Sequence, residues 1–245
     1  MVEKKENNRG HFYRQGKQPW YKSVTKALRM YPKGDEFYEW VAKNGYKGAK
    51  EQLMRAGAIG TTAHNAIERI IRNQASLAEL ESERVFEPAE WMAVVGFLRW
   101  WDSLNEHPVI HGLELPVISH TMRVGGTCDM FCTFPGHTHP TVVDFKTSGH
   151  MSASYWLQLH AYAQCIYEMG LGCARNLMIL HLHSRYDNGY HPYWQPFTRR
   201  GIAKFQALCL FAEDYTTDES RRDQSFPLGA PDSPADPLPV SLDLM

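Results

Sequence analysis

The spacing of apolar residues divides the chain near residue 110. Before it, apolar positions recur every three or four residues, the period of a helix that buries one face. TTAHNAIERIIRN (61–73) reads as a helix with Thr61 or Thr62 at its N-cap. Pro88 opens a second helix with a stripe of Trp91, Val94, Val95, Leu98 and Trp101. Over 23–57, short helical pieces are interrupted by Pro32, Gly34, Gly45 and Gly48. Beyond residue 110 the chemistry changes. GLELPVIS, MRVGGTCDMFCTF and TVVDFKTS are rich in strand formers and separated by turn signals, which predicts three antiparallel strands. Residues 152–170 read as a helix stopped by Gly170, and 176–197 as two strands around a turn at Asn188-Gly189. Residues 198–215 read as the last helix.

This order predicts an α/β fold with a mixed central β-sheet flanked by helices. Residues 1–19 and the Pro-, Asp- and Ser-rich 216–245 read as disordered, which leaves 20–215 as a single domain with a helical N-terminal region. The sequence has 245 residues, 43% of them hydrophobic and 22% charged, enough apolar material for a sizeable core. The charged start and the lack of any apolar run near membrane length predict no secretory signal, no membrane span and a cytoplasmic setting. Five dispersed cysteines without a Cys-x-x-Cys pair read as reduced packing residues. The net charge of −1 excludes little, but its distribution is uneven. Residues 1–55 carry thirteen Lys/Arg against six Asp/Glu, and the rest carry thirteen against twenty-one. A basic arm on an acidic body is a candidate polyanion contact, or simply a solvated face.

The candidate chemistry centres on TVVDFKTS. Alternation along a strand puts Asp144 and Lys146 on one face and Phe145 on the other. If the preceding turn is centred between Gly136 and His137, cross-strand partners sum to 273 and Asp129 lies opposite Asp144. Two carboxylates about 5 Å apart destabilise a sheet unless something neutralises them. A divalent cation with oxygen ligands does so, and so could Lys146 unaided. Glu114, between Leu113 and Leu115 that face away from it, could add a third carboxylate. His64 and Glu68 share a helix face at i and i+4, as do Gln158 and Tyr162; surface or core pairing is the plain alternative. The pairs His137/His139 and His181/His183 read as non-functional, with the second near enough to the acidic strand to warrant attention.

GTTAHNAIE, LELPV, GGTCD, VVDFKTS and YWLQLHAY, in that order, resemble the RecB-like branch of the PD-(D/E)XK nuclease superfamily. The likeness is to its compact phage exonucleases and mitochondrial genome maintenance exonucleases. It spans roughly 20–200 and implies a restriction-endonuclease-like core. It implies Asp129, Asp144 and Lys146 as catalytic, with Glu114 as an accessory acid. Metal ligands would be His64, Asp129, Asp144 and the Phe145 backbone carbonyl, holding one or two Mg²⁺ or Mn²⁺ ions. Gln158, Tyr162, Thr147 and Glu68 would support the site or the DNA. Lys22, Lys26 and Arg29, interleaved with Trp20, Tyr21 and Tyr31, suit backbone contact with DNA; core packing of those aromatics is the alternative. No cysteine precedes residue 128, so no iron–sulfur cluster is expected. The implied function is a metal-dependent DNA exonuclease acting at ends or on single strands in phage-type replication or recombination. The alternatives are a structure-specific endonuclease and a non-catalytic DNA-binding accessory. The terminal SLDLM resembles a sliding-clamp peptide, so a clamp or a single-strand-binding protein is a candidate partner.

Overall fold

The computed structural model of the chain describes residues 1–7 and 10–219. The strands are β1 (Val2–Asn7), β2 (Gly10–Gln15), β3 (Tyr21–Ser23), β4 (Val109–Ser119), β5 (Val124–Thr133), β6 (Thr141–Lys146), β7 (Asn176–Leu182) and β8 (Tyr190–Pro196). The helices are α1 (Val24–Ala27), α2 (Asp35–Ile71), α3 (Leu77–Glu83), α4 (Pro88–Asp102), α5 (Ala153–Glu168) and α6 (Arg199–Glu219). The strands form one sheet in the order β1-β2-β3-β5-β6-β7-β8, with β4 paired to β5 off that path. Pairing is parallel for β3–β5 and β6–β7 and antiparallel elsewhere, so the sheet is mixed. Parallel neighbours need a crossover, and α5 supplies it between β6 and β7. Pro192 and Pro196 sit on β8, the edge strand, where a missing N–H costs no ladder bond. This is the mixed α/β layout of a restriction-endonuclease-like core.

Helices cover both faces of the sheet. On one, Leu157, Leu159 and Ile166 of α5 and Phe205 of α6 pack with Val142, Leu177 and Ile179. On the other, Ile67 of α2 and Phe97 and Trp100 of α4 pack with Val143, Phe145, Met178 and Leu180. Burial on both sides explains why β6 and β7 read as continuous apolar runs without alternation. The β5–β6 register is the expected one: Met130↔Val143, Phe131↔Val142 and Cys132↔Thr141 all sum to 273.

Several expectations are corrected. Residues 1–19 are not a disordered arm. β1 and β2 form a hairpin over six register pairs, and Tyr13, Tyr21 and Ile118 make a small core beneath it. The high charge of this segment lies mostly on the outward positions and masks the inward Tyr13. Of the expected breakers, Pro32 and Gly34 separate α1 from α2 and Gly45 (φ 68°, ψ 156°) kinks α2 into two helices, but Gly48 does not interrupt it, and the second helix runs on through the expected start at 61 to Ile71. Thr61 is therefore no N-cap; its hydroxyl donates to the carbonyl of Gly57, inside the helix. The buried face of α4 is Ala93, Val94, Phe97 and Trp100, with Trp91, Val95, Leu98 and Trp101 only partly covered. Close packing sets this rotation, since a Cβ at Gly96 would fall 2.4 Å from the Gly189 carbonyl oxygen on the β7–β8 turn. α3 was not expected, although Ser76 and Glu79 form the reciprocal capping box that opens it. α6 runs to Glu219, four residues past the expected end, and the tail beyond it, with SLDLM, lies outside the described residues.

Candidate metal centre

β5 is the strand around which the site is built. Along one edge it pairs with β4 throughout. Along the other it pairs with β6 only at 130–132 and with β3 only at 124–125. Between those stretches β3 and β6 part, and Asp129 stands at the fork. Here a side chain replaces the ladder: the backbone N–H of Phe145 donates to Asp129 Oδ2 at 2.7 Å.

A second irregularity faces it. Glu114 adopts φ 47°, a left-handed conformation costly for a residue with a Cβ. Leu113 and Leu115 would share one face of a regular strand. Instead Leu113 packs with the α2–α4 core and Leu115 with the α5–α6 core. Across the ladder, Met130 and Cys128 are split between the same two cores. Both strands thus change face at the Glu114/Asp129 level, and the expectation that Leu113 and Leu115 face away from Glu114 together is replaced by this twist. Arg72, at the end of α2, donates to the Leu113 carbonyl and to Glu68, which ties the helix to the kink.

That anchor brings His64 over the fork. Ligand atoms of His64, Glu114 and Asp129 all lie within 4.8 Å of one another. Side-chain rotation alone could draw these three donors, two carboxylates and an imidazole, together onto one divalent ion. The hydrogen bonding of His64 supports that fit. Its Nε2 lies 2.9 Å from the Phe145 carbonyl, which only accepts, so Nε2 carries the proton. In the neutral ring, Nδ1 then points a lone pair at Asp129 Oδ2, 3.5 Å away. Two acceptors facing each other repel; a proton or a cation between them removes the repulsion. A backbone carbonyl holding the far nitrogen is also how metal-ligating histidines are commonly oriented. The Phe145 carbonyl, expected as a ligand itself, is engaged by the histidine.

Asp144 lies behind this cluster, fully buried. It is ion-paired with Lys146, and its Oδ1 meets no hydrogen-bond donor. An unmatched buried carboxylate oxygen is costly unless a positive charge faces it. Burial, opposed by Lys146, lifts the Asp144 pKa to about 6. Burial first, then the charge of Asp129, lifts that of Glu114 to about 7. Burial opposes the charge on Lys146, but Asp144 and Asp129 outweigh it, so the ammonium holds its proton more tightly than usual. Its Nζ also sits 5.0 Å from the Tyr155 ring centre. The residues present therefore suit a divalent cation beside a fixed ammonium.

The other expected residues fall into two groups. Gln158 and Tyr162 are buried on α5 and bonded to each other, Nε2 to OH at 2.9 Å. Gly126 makes room for that tyrosine, since a Cβ there would meet Tyr162 Cε1 at 2.4 Å. Burial and then Asp144 push the Tyr162 pKa well up, which places the phenol beside the acidic site as a neutral group. Thr147 faces α2, its hydroxyl 3.4 Å from where a Cβ on Gly60 would lie. Glu68 sits one turn beyond His64 and pairs with Arg72. Lys22, Lys26 and Arg29 are not in this cluster. Lys22 pairs with Val124, five residues along β5 from Asp129, roughly 16 Å.

One group was undervalued in the sequence. His181 is the β7 partner of Lys146 and is fully buried. Its Nε2 lies 2.6 Å from the Ser148 carbonyl, so it donates there. Nδ1 must then accept from the Tyr186 hydroxyl at 2.8 Å, and Tyr186 oxygen accepts from Tyr193 at 3.0 Å. The chain of bonds fixes the segment that follows Lys146. Its signal was the β7 position level with Lys146, which only the parallel register reveals. His137 and His139 lie at the opposite end of the sheet.

No family model and no curated protein matches the chain. Among solved structures, it is similar to the alkaline exonuclease LHK-Exo from Laribacter hongkongensis, with a TM-score of 0.43 and 9% identity over 80% of this chain and 88% of that one. LHK-Exo in complex with dAMP gives a TM-score of 0.42 and 10% identity, covering 81% and 89%. The crystal structure of SSO0001 gives 0.40 and 9%, covering 82% and 79%. No helix among the described residues is long and apolar enough to cross a membrane.

Proposed function

We propose that this chain is a divalent-metal-dependent deoxyribonuclease of the PD-(D/E)XK superfamily, RecB-like branch, working as an exonuclease. The observation that carries the reading is the convergence of His64, Glu114 and Asp129 at the fork in β5, with the Asp144–Lys146 pair beside it. Phosphodiester hydrolysis needs positive charge where the scissile phosphate gains negative charge, and a nucleophilic water held in line. A Mg²⁺ or Mn²⁺ ion held by Asp129, Glu114 and His64 would supply Lewis acidity and a more acidic bound water. Asp144, whose Oδ1 lacks a donor, completes the anionic wall on that side. Lys146, kept protonated by two carboxylates, stabilises charge on the phosphate and orients the water. The Phe145 carbonyl and His181 hold the imidazole and the Lys146 segment in place. Glu68 and Arg72 hold α2, and Gln158, Tyr162 and Thr147 shape the floor.

The test is cleavage of end-labelled linear single- and double-stranded DNA with Mg²⁺ or Mn²⁺, alongside a circular single strand and the Asp144→Ala variant. Loss of linear DNA only, absent in the variant, is the expected result. Cutting of the circle would make the enzyme an endonuclease, because an exonuclease needs an end. Intact DNA in every lane, with Mn²⁺ still bound, would leave a non-catalytic DNA-binding module.

A further inference from the structure

The N-terminal hairpin has two unlike faces. The inner face carries Tyr13, which packs on Gly125 so closely that a Cβ there would lie 2.4 Å from Tyr13 Cβ. The Tyr13 hydroxyl reaches Thr127 at 3.1 Å, two residues from Asp129. Lys4, paired with Tyr13 across the hairpin, lies near enough to Glu114 to favour its charged form. The inner face thus belongs to the metal centre.

The outer face is a built row of cations and aromatic rings. Lys5 pairs with Phe12, and Phe12 with Lys22, so the three lie side by side across β1, β2 and β3. Trp20 is flanked by Lys5 Nζ at 4.2 Å and the Arg14 guanidinium at 4.6 Å. Phe12 lies under Lys5 at 5.7 Å and under Lys26 of α1 at 5.8 Å. Arg14 is ion-paired with Glu3 at 2.6 Å, and Lys22 Nζ donates to the Ala212 carbonyl of α6 at 3.5 Å. Each ring holds two ammonium or guanidinium groups at a set height over its face, which reduces the rotamer entropy lost when an anion binds. A row of several fixed cations suits a polyanion better than a single anion.

We propose that this outer face, Lys5, Phe12, Arg14, Trp20 and Lys26, is a track for the phosphate backbone of a single DNA strand. The proposal rests on the nuclease reading and adds to it where the substrate lies outside the metal centre. The rings act by fixing the cations, so the contact is electrostatic and independent of sequence. β3 joins β5 at Val124, roughly 16 Å along the strand from Asp129, so the track lies on the same half of the sheet as the fork but on the opposite face of the hairpin from Tyr13.

The test separates binding from cleavage. A labelled single-stranded 20-mer is titrated with the full chain in EDTA across a salt series, following anisotropy. Wild type is compared with Lys5→Gln/Lys26→Gln and with Arg175→Gln, a charge change at the opposite end of the sheet. The double variant should lower the slope of log K against log salt by about 1.4, at about 0.7 per lost phosphate contact, while Arg175→Gln leaves it unchanged. Each single variant should lower it by about 0.7, which keeps the test open if the double variant is unstable. Equal slopes and affinities for wild type and the Lys variants would overturn the track. Equal losses in Arg175→Gln would reduce it to net charge and overturn it as well. Binding that follows these expectations in a protein that cuts no DNA would refute the nuclease reading and leave the track standing.

Discussion

β5 and β6 end differently at their two ends, and the difference locates the chemistry. At one end Cys132↔Thr141 runs into a tight turn in which the N–H of His137 donates to the Phe134 carbonyl. Phe134, His137 and Trp194 meet there in edge-on and tilted ring contacts, around a cavity of about 420 Å³ that also has Glu106 in its wall. At the other end the strands part after Met130↔Val143, and side chains take up the backbone groups: Phe145 N–H goes to Asp129 and Phe145 C=O to His64. Both ends offer a histidine and an acid. Only the open end turns them toward one another, because there the ladder no longer satisfies the backbone and the carboxylates are drawn inward and desolvated.

The largest expected effect at the open end is on Lys146. Lys146→Ala should lower kcat by about 10²–10⁴, while Mn²⁺ affinity stays the same or rises because Asp144 loses its partner. Single-turnover cleavage set against calorimetry checks both halves. Affinity falling in parallel with rate would give the lysine a structural role only.

The register of β5 and β6 and the place of Lys146 were legible because strand alternation and a turn centre determine them. The expected cross-strand pair of Asp129 and Asp144 does not form: the ladder stops at Met130↔Val143, and Asp129 accepts from the Phe145 N–H instead. What was not legible arises where alternation fails. Glu114 joins the site through a left-handed backbone that no residue type announces, and the face change it causes splits Leu113 from Leu115. The hairpin at the start was hidden by its charge, since one inward tyrosine in a polar segment gives little period. The part of α2 after Gly45 was hidden by Gly48, Gly57 and Gly60: each costs about 1 kcal/mol in a helix, yet the far end is held by the Arg72–Leu113 bond, so the helix runs on past them. His181 gained meaning only from a crossover that sequence spacing does not specify.

A smaller effect concerns pH. Glu114 is raised from 4.5 to about 7 and Asp144 from 3.8 to about 6. Without a cation these groups disfavour the folded state once ionised, so stability is retained below about pH 4 and declines as pH rises through 6 to 7. A divalent ion competes with the protons and removes that penalty. The rise in Tm on adding 5 mM Mg²⁺ or Mn²⁺ should therefore be several degrees at pH 8 and near zero at pH 5, by about the mass-action amount. A rise that is equal at both pH values would mean the ion binds elsewhere.

The smallest effect compares the ends directly. His181→Gln should reduce kcat about tenfold with KM and Mn²⁺ affinity unchanged, since the Lys146 segment loses its anchor. His137→Ala, at the closed end, should change activity by less than about twofold. Equal responses from the two variants would remove the distinction between the ends.

The nuclease reading stands or falls with His64, Glu114 and Asp129 sharing one divalent cation. Calorimetric titration of Mn²⁺ into the full chain at pH 8, with wild type and Asp129→Asn side by side, tests it most directly. Saturable binding to wild type is expected, with an affinity lower by at least about tenfold in the variant. No binding to wild type, or the same affinity in both proteins, would contradict it.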